Sequence, residues 1–160
     1  MDKEIFKARR LVVSCNQLLN FKPEKVFPLL CPQREYEWIE SWRGKIIYSE
    51  SGFAELDCVF STELPGTAEE IWITDRYVEN KRIQFIRYSP SMVIRYNITL
   101  TDNNDGTTTA RWEQTITSLN AEGNSYIGNF SNAVYEKLIR ALENMLNHYL
   151  ATGEMLKMDE

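Results

Sequence analysis

The chain has 160 residues, of which 43% are apolar, 12% aromatic and 26% charged, a composition that excludes disordered and collagen-like proteins. Eighteen Lys and Arg residues against 23 Asp and Glu residues give a net charge of −5. Because a phosphate backbone requires a clustered positive surface, we predict no nucleic-acid partner. A chain of this length buries enough surface for one sizeable core. We therefore expect a single domain over residues 1–160, with its core over 9–153.

The N-terminal and cysteine patterns bear on location and cofactors. The N-terminal residues are strongly charged, and no window holds the roughly 18 consecutive apolar residues that a membrane span requires, so we expect a cytoplasmic protein with no signal peptide and no stable membrane insertion. Cys15, Cys31 and Cys58 are widely spaced, and His148 is the single histidine. This spacing fits neither a disulfide framework nor a zinc cluster. We expect no metal and no cofactor.

The first part of the chain predicts one strand followed by two short helices. Apolar and β-branched residues without helical spacing run over 9–19 and indicate a strand. A proline and a glutamate suited to a first helical turn begin a short helix over 23–30. Trp38 and Trp42 stand four residues apart, which places them on one side of a second short helix over 33–42.

The middle of the chain alternates apolar and polar residues with a period of two, which indicates strands with one buried face. Turn residues separate the strands by short connections, and such connections imply an antiparallel meander. Glu69 and Glu70 are adjacent, and we interpret both as solvated charges. The six predicted strands cover residues 45–49, 54–63, 69–78, 82–88, 92–101 and 107–118, which makes about seven with the first.

The C-terminal segment has a helical period. Asn120 is a suitable N-cap and Gly153 a suitable stop, so we predict one long amphipathic helix over 120–152. Polar residues, among them Arg140 and Glu143, occupy its other side. The apolar stripe that we predict to face the core consists of Ile127, Phe130, Val134, Leu138, Ala141, Leu142, Met145 and Tyr149.

This order of elements resembles the α+β helix-grip fold of the START-like (SRPBCC) superfamily. The similarity to its bacterial polyketide cyclase/dehydrase-like branch covers roughly residues 9–153. The resemblance implies a curved antiparallel sheet wrapped on the long helix, with an apolar cavity between them that opens near the two short helices. The motifs that carry the resemblance are Pro23-Glu-Lys-Val-Phe-Pro-Leu-Leu30, Trp38-Ile-Glu-Ser-Trp42, Trp72-Ile-Thr-Asp-Arg-Tyr77 with Ile83-Gln-Phe85, and Gly106-Thr-Thr-Thr with Trp112.

Strand parity predicts which side chains face such a cavity. Tyr96 and Gln114 are the polar members of otherwise apolar inward rows, and Arg87 points inward near a strand end. Other interpretations stay open: Tyr96 and Gln114 satisfy each other in a solid core, or Arg87 extends into solvent. Trp38 and Trp42 either line the entrance or only pack in the core. The inward face of the strand over 69–78 also stays open, because Ile71 and Ile73 alternate with Trp72. The predicted ligand-binding residues are Trp38, Trp72, Phe85, Arg87, Tyr96, Trp112, Gln114, Phe130, Val134 and Leu138.

These features predict a binding or carrier domain for a small hydrophobic or amphipathic molecule, present as a monomer or homodimer. The first alternative is a cofactor-independent cyclase or aromatase, in which Tyr, Gln and Arg donors steady a developing enolate. The second alternative is a protein-interaction module. No Ser-His-Asp arrangement, phosphate loop or paired-carboxylate motif is evident in the sequence.

Overall fold

The computed structural model describes residues 5–63 and 68–157, and within these ranges it contains seven strands and three α-helices. The strands are β1 (Arg10–Leu19), β2 (Gly44–Tyr48), β3 (Val59–Thr62), β4 (Glu70–Val78), β5 (Arg82–Tyr88), β6 (Met92–Asp102) and β7 (Thr108–Ser118). The helices are α1 (Pro23–Val26), α2 (Ala121–Asn129) and α3 (Asn132–Thr152), and 3₁₀ turns occupy Phe27–Leu30 and Glu35–Glu37.

The seven strands form one antiparallel sheet in the order β1-β7-β6-β5-β4-β3-β2. Strands β2 to β7 are joined in sequence as a meander, and β1 pairs with β7 at the other edge. Irregular register near Ile47, between β2 and β3, and near Asp75, between β4 and β5, marks bulges, which increase local twist and bending. The curved sheet with a long C-terminal helix confirms the predicted helix-grip fold.

Helix α3 lies along the edge strand β1 and satisfies part of its backbone. Asn132 Oδ1 accepts a hydrogen bond from Ser14 N–H at 3.0 Å, and Glu143 Oε2 accepts one from Leu18 N–H at 2.7 Å. Arg140 donates to the Asn16 carbonyl at 2.8 Å. Polar residues on the flank of the helix therefore cover an edge that would otherwise be open to strand pairing.

The buried residue Gln17 connects three elements in the interior. Its side-chain oxygen accepts a hydrogen bond from Trp112 Nε1 at 2.8 Å, and its side-chain nitrogen donates to the Ile139 carbonyl at 3.0 Å. Gln17 is 1% exposed, so both bonds are shielded from water. This single amide ties β1, β7 and α3 together.

Two predicted elements of the first half were wrong in extent. The expected helix over 33–42 is only the 3₁₀ turn at Glu35–Glu37, because Trp38 leaves helical geometry with φ −131°. The expected strand over 54–63 begins only at Val59, since Asp57 adopts φ 66° in a turn. Both differences place irregular backbone at one end of the sheet.

The predicted single C-terminal helix is two helices. Asn120 caps α2 as expected, accepting from Gly123 N–H, but Phe130 is extended and ends it. Ser131 then caps α3 by accepting from Val134 N–H, and Gly153 ends α3 with φ 74°. The break changes the face that α3 presents to the core, and its fully buried residues are Tyr135, Ile139 and Leu146.

Three further features of the described residues concern chemistry and location. Cys15, Cys31 and Cys58 are free and buried. Across residues 5–63 and 68–157, no group of three or more His, Cys, Asp or Glu side chains is placed to hold a metal ion. Among the helices of these same ranges, none combines the length and apolar character that crossing a bilayer requires.

Candidate functional site

A cavity of about 400 Å³ lies between the sheet, helix α3 and the irregular segment 32–42. Strands β3 to β7 supply its floor, α3 supplies one wall through residues such as Leu142 and Met145, and Trp42 and Ile39 supply another. Its volume lies in the range typical of small-molecule sites, about 300–1,000 Å³. The interior at this point is therefore not a solid core.

Aromatic rings form a continuous surface on the floor of the cavity. Phe60 stacks on Trp72 at 5.2 Å between ring centres, and Phe85 meets both rings edge-on at 5.6 Å. Tyr96 continues the series, 6.1 Å from Trp72 and 5.9 Å from Trp112. Cross-strand pairing of Phe85 with Tyr96 explains part of this continuity, because paired residues share one face of a sheet.

The indole N–H groups of the cavity are already used within the protein. Trp72 donates to Thr62 Oγ1 at 2.9 Å, and Trp42 donates to the Pro32 carbonyl at 2.8 Å. Together with the Trp112 bond to Gln17, these contacts leave the tryptophans as apolar surfaces and not as donors to a ligand.

A small polar group interrupts the aromatic floor. Tyr96 and Gln114 are directly paired across β6 and β7, and both are buried against the cavity together with Tyr135 of α3. The hydroxyl of Tyr135 is buried and has no hydrogen-bond partner of ordinary distance and angle within the described chain. These three side chains are polar groups in a cavity that is otherwise mainly apolar.

Burial keeps both tyrosines in their neutral form. Desolvation raises the pKa of Tyr96 to about 12, and the contacts of its hydroxyl with Tyr135 and Gln114, followed by the charge of Arg87, lower it only in part. Desolvation also raises the pKa of Tyr135, with a further increase from Tyr96. Both hydroxyl groups are therefore neutral donors at physiological pH and can donate to a carbonyl or alkoxide oxygen.

Arg87 enters the cavity wall as half of a buried ion pair. Its Nε and Nη2 atoms donate hydrogen bonds to the two carboxylate oxygens of Glu70 at 2.7 and 2.6 Å. The side chains of Arg87 and Glu70 are 16% and 9% exposed. The interpretation of Glu70 as a solvated charge was wrong, because Glu70 lies on the same face of β4 as Trp72.

Glu35 is a second acidic group at the cavity, and it differs from Glu70. Its carboxylate lines the cavity and forms no ion pair or hydrogen bond within residues 5–63 and 68–157. Glu35 as a whole residue is half-buried, but desolvation of its carboxyl group raises its pKa well above the usual value of 4.5. Its neighbours in the turn, Arg34 and Glu37, pair with each other at 2.8 Å.

The structure brings most of the predicted site residues together. Trp42 also lies on the wall. The sequence alone did not decide whether this side chain lines the cavity or only packs in the core. Leu138 is 53% exposed and lines the cavity, so it marks a place where the cavity meets solvent. The predicted residues on the cavity wall are Trp72, Phe85, Arg87, Tyr96, Trp112, Gln114 and Leu138.

Three predicted site residues lie away from the wall. Trp38 is fully buried in the core, where its Nε1 donates to the Leu29 carbonyl at 2.8 Å. Val134 is 44% exposed on the outer side of α3. Phe130 lies in the break between the helices and stacks on Tyr126 at 5.3 Å. The helix break explains the last two, because it changes the phase of the helical stripe.

Sequence patterns missed several residues of the wall. Glu35 gave no signal, because it belongs to a short turn with no period. Tyr135 and Ile139 lie one position after Val134 and Leu138 of the predicted stripe. A predicted helix break near Phe130 would have indicated this shift. Ala141, Leu142 and Met145 of the predicted stripe lie on the wall as well, although they were not among the predicted ligand-binding residues. The remaining residues of the wall are Pro32, Ile39, Ser41, Phe60 and Ile98.

A second depression, of about 610 Å³, is a more open groove near the β4–β5 turn. Lys81, Arg82, Asp102 and Glu24 contribute to its lining, and the aromatic floor does not extend into it. The enclosed aromatic cavity is the better candidate for a specific ligand, since it can surround a small molecule.

No family model matches the chain, and no curated protein matches its sequence. A hypothetical protein of Helicobacter pylori superposes with a TM-score of 0.71 at 11% identity, covering 87% of each chain. Norcoclaurine synthase of Thalictrum flavum, in complex with dopamine and hydroxybenzaldehyde, superposes with a TM-score of 0.66 at 7% identity, covering 94% of this chain and 97% of that one.

A third similar structure is DynU16, a protein of the dynemicin biosynthetic locus. Its TM-score is 0.64 at 14% identity, and the alignment covers 89% of this chain and 48% of that one. Identities this low show a shared fold and nothing finer. The three structures therefore support the helix-grip architecture.

Proposed function

We propose that this protein binds a small hydrophobic or amphipathic molecule in the cavity and acts as its carrier. The observation that carries the proposal is the combination of a partly enclosed volume of about 400 Å³ with an aromatic floor and few polar groups. Such a space gains free energy by removing the apolar surface of a ligand from water. The polar atoms of Tyr96, Gln114 and Tyr135 then orient the polar end of that ligand.

The fold comparisons are compatible with this proposal. One structure with the same architecture holds dopamine and hydroxybenzaldehyde, both small aromatic molecules. The proposal itself is drawn from this chain's own side chains, because fold alone does not determine function.

Native mass spectrometry of freshly purified protein and thermal melting with a broad panel of apolar ligands test the proposal. A bound ligand raises the melting temperature by mass action. Ala141 lines the cavity, so Ala141→Trp should fill it and abolish these shifts. Ala133 is exposed on the same helix, which makes Ala133→Trp the matched control. Flat responses in the parent protein would contradict a ligand-binding function.

A second candidate function is cofactor-independent catalysis in the same cavity. It is favoured by the neutral, buried hydroxyls of Tyr96 and Tyr135, which can stabilise negative charge on an oxygen as it develops. A polyketide-type substrate that cyclises through an enolate fits this arrangement. Under this candidate, Tyr96→Phe lowers turnover and leaves substrate affinity nearly unchanged, because the donor acts mainly on the transition state. Single-turnover kinetics with equilibrium binding separate the two effects.

A further inference from the structure

The charges around the cavity do not balance. Arg87 is neutralised by a two-fold contact with Glu70, so this pair brings no net charge to the wall. Arg34 is likewise paired with Glu37. Glu35 alone faces the cavity without a cation among the described residues. An ionised carboxylate in such surroundings is costly unless a positive group meets it.

The surroundings of Glu35 suit an organic cation. Trp42 lines the same cavity, and aromatic faces attract positive charge. The position of Arg87, with its guanidinium carbon 4.5 Å from the centre of the Trp72 ring, shows one such contact within the protein itself. The cavity therefore offers both an unpaired carboxylate and rings that favour a cation.

We propose that the cavity selects ligands that carry a protonated amine on an apolar body, and that Glu35 binds this amine. This inference rests on the proposed binding function and names its ligand class. The apolar body covers the aromatic floor, and the ammonium group donates to the Glu35 carboxylate. The charge of such a complex is balanced, whereas an anionic ligand would place a second negative charge near Glu35.

The titratable and charged groups around Glu35 are few. The charge of Glu35 raises the pKa of Tyr96 on β6, and Tyr135 of α3 lines the same cavity. Arg87 of β5 is paired with Glu70 of β4. Both tyrosines are neutral at physiological pH, since desolvation raises the pKa of each. A pH dependence of amine binding at a pH where both tyrosines are neutral therefore reports on Glu35.

Isothermal titration calorimetry with naphthylethylamine, naphthylethanol and naphthylacetate tests the inference. These probes share one apolar body and differ in charge. We expect the amine to bind at least about tenfold more tightly than the alcohol at neutral pH, as charge-assisted hydrogen bonds do, and the acid to bind most weakly. Glu35→Gln should abolish the preference, whereas Glu50→Gln, in an exposed loop, should retain it.

A pH series on the parent protein gives a test that needs no variant. Desolvation raises the pKa of Glu35, so the carboxylate ionises only as the pH rises through that value. Amine affinity should rise over the same interval, acid affinity should fall, and alcohol affinity should stay constant. If the alcohol binds but the amine has no advantage, or Glu35→Gln keeps the advantage, the inference is overturned and the binding function stands. If none of the probes binds, the amine selectivity and the proposed binding function are both contradicted.

Discussion

The guanidinium carbon of Arg87 lies 4.5 Å from the centre of the Trp72 ring, so a charged group forms part of an aromatic cavity wall. Glu70 holds it there through both carboxylate oxygens. Arg87 and Trp72 are also directly paired across β4 and β5, which fixes the stacking through the backbone register. Arg87 thus contributes to the cavity wall without adding net charge, because Glu70 neutralises it.

Loss of one partner of this ion pair should destabilise the fold. We expect Glu70→Gln to lower the free energy of unfolding by about 3 kcal/mol, because the buried guanidinium then lacks its counter-charge. The adjacent Glu69 is exposed, and Glu69→Gln should change stability by less than about 0.5 kcal/mol. Urea denaturation measures both. Equal effects of the two substitutions would contradict the buried pair.

Glu35 should reduce stability at neutral pH. Burial raises the folded-state pKa of Glu35 above the usual 4.5, so its contribution is intact below pH 4.5 and is lost as the pH rises through the folded-state pKa. Glu35→Gln removes that loss, because glutamine never ionises. Thermal melting should show the variant more stable than the parent at neutral pH and equal to it at about pH 4. A difference that does not vary with pH would contradict this account.

The hydroxyl of Tyr135 should contribute little to the stability of the free protein. It is buried near Tyr96 and Gln114 but makes no hydrogen bond of ordinary distance and angle within the described chain, so Tyr135→Phe should change the free energy of unfolding by less than about 0.5 kcal/mol or raise it by up to about 1 kcal/mol. The hydroxyl of Tyr36 donates to the Gly44 carbonyl at 2.6 Å, and Tyr36→Phe should cost about 1 kcal/mol. Urea denaturation compares the same chemical change at both positions. A larger loss at Tyr135 would indicate a satisfied hydroxyl.

Two glycines of α2 should respond in opposite directions to alanine. A Cβ at Gly123 would lie 2.2 Å from the Ser91 carbonyl oxygen, so Gly123→Ala should destabilise the protein by about 2 kcal/mol through forced backbone movement. A Cβ at Gly128 would meet no atom within 4 Å, so Gly128→Ala should stabilise the helix by up to about 1 kcal/mol. Differential scanning calorimetry tests the pair. A neutral Gly123→Ala would contradict the close packing of α2 on the turn at Ser91.

Strand parity predicted the floor of the cavity because a sheet with one buried face allows only one register. Tyr96, Gln114 and Phe85 followed from it directly. Trp72 did not, because Ile71 and Ile73 on the other face left the parity of its strand open. The same parity places Glu70 on the inner face with Trp72. We predicted that Glu70 is exposed to solvent because its side chain is charged. Its counter-ion on the neighbouring strand was the feature that sequence spacing did not reveal.

The helical part was less predictable for a geometric reason. Adjacent residues of a helix differ by about 100° around its axis, so a stripe displaced by one position faces another direction. The extended backbone at Phe130 introduced such a displacement. Tyr135 is therefore buried against the sheet, where we expected Val134. The position of Glu35 at the cavity could not be predicted from the sequence. The turn that carries it has no periodic pattern, and the residues around it come from strands that are distant in the chain.

The amide of Gln17 has a mechanical consequence for ligand selection. Its two buried bonds link Trp112 on the sheet to the backbone of Ile139 in α3, so the helix cannot slide along or rotate over the sheet without breaking both. We therefore expect the floor and the helical wall of the cavity to keep their relative position when a ligand binds. Any widening to admit a longer molecule should then come from the irregular segment 32–42, so that segment should limit the length of molecule accepted.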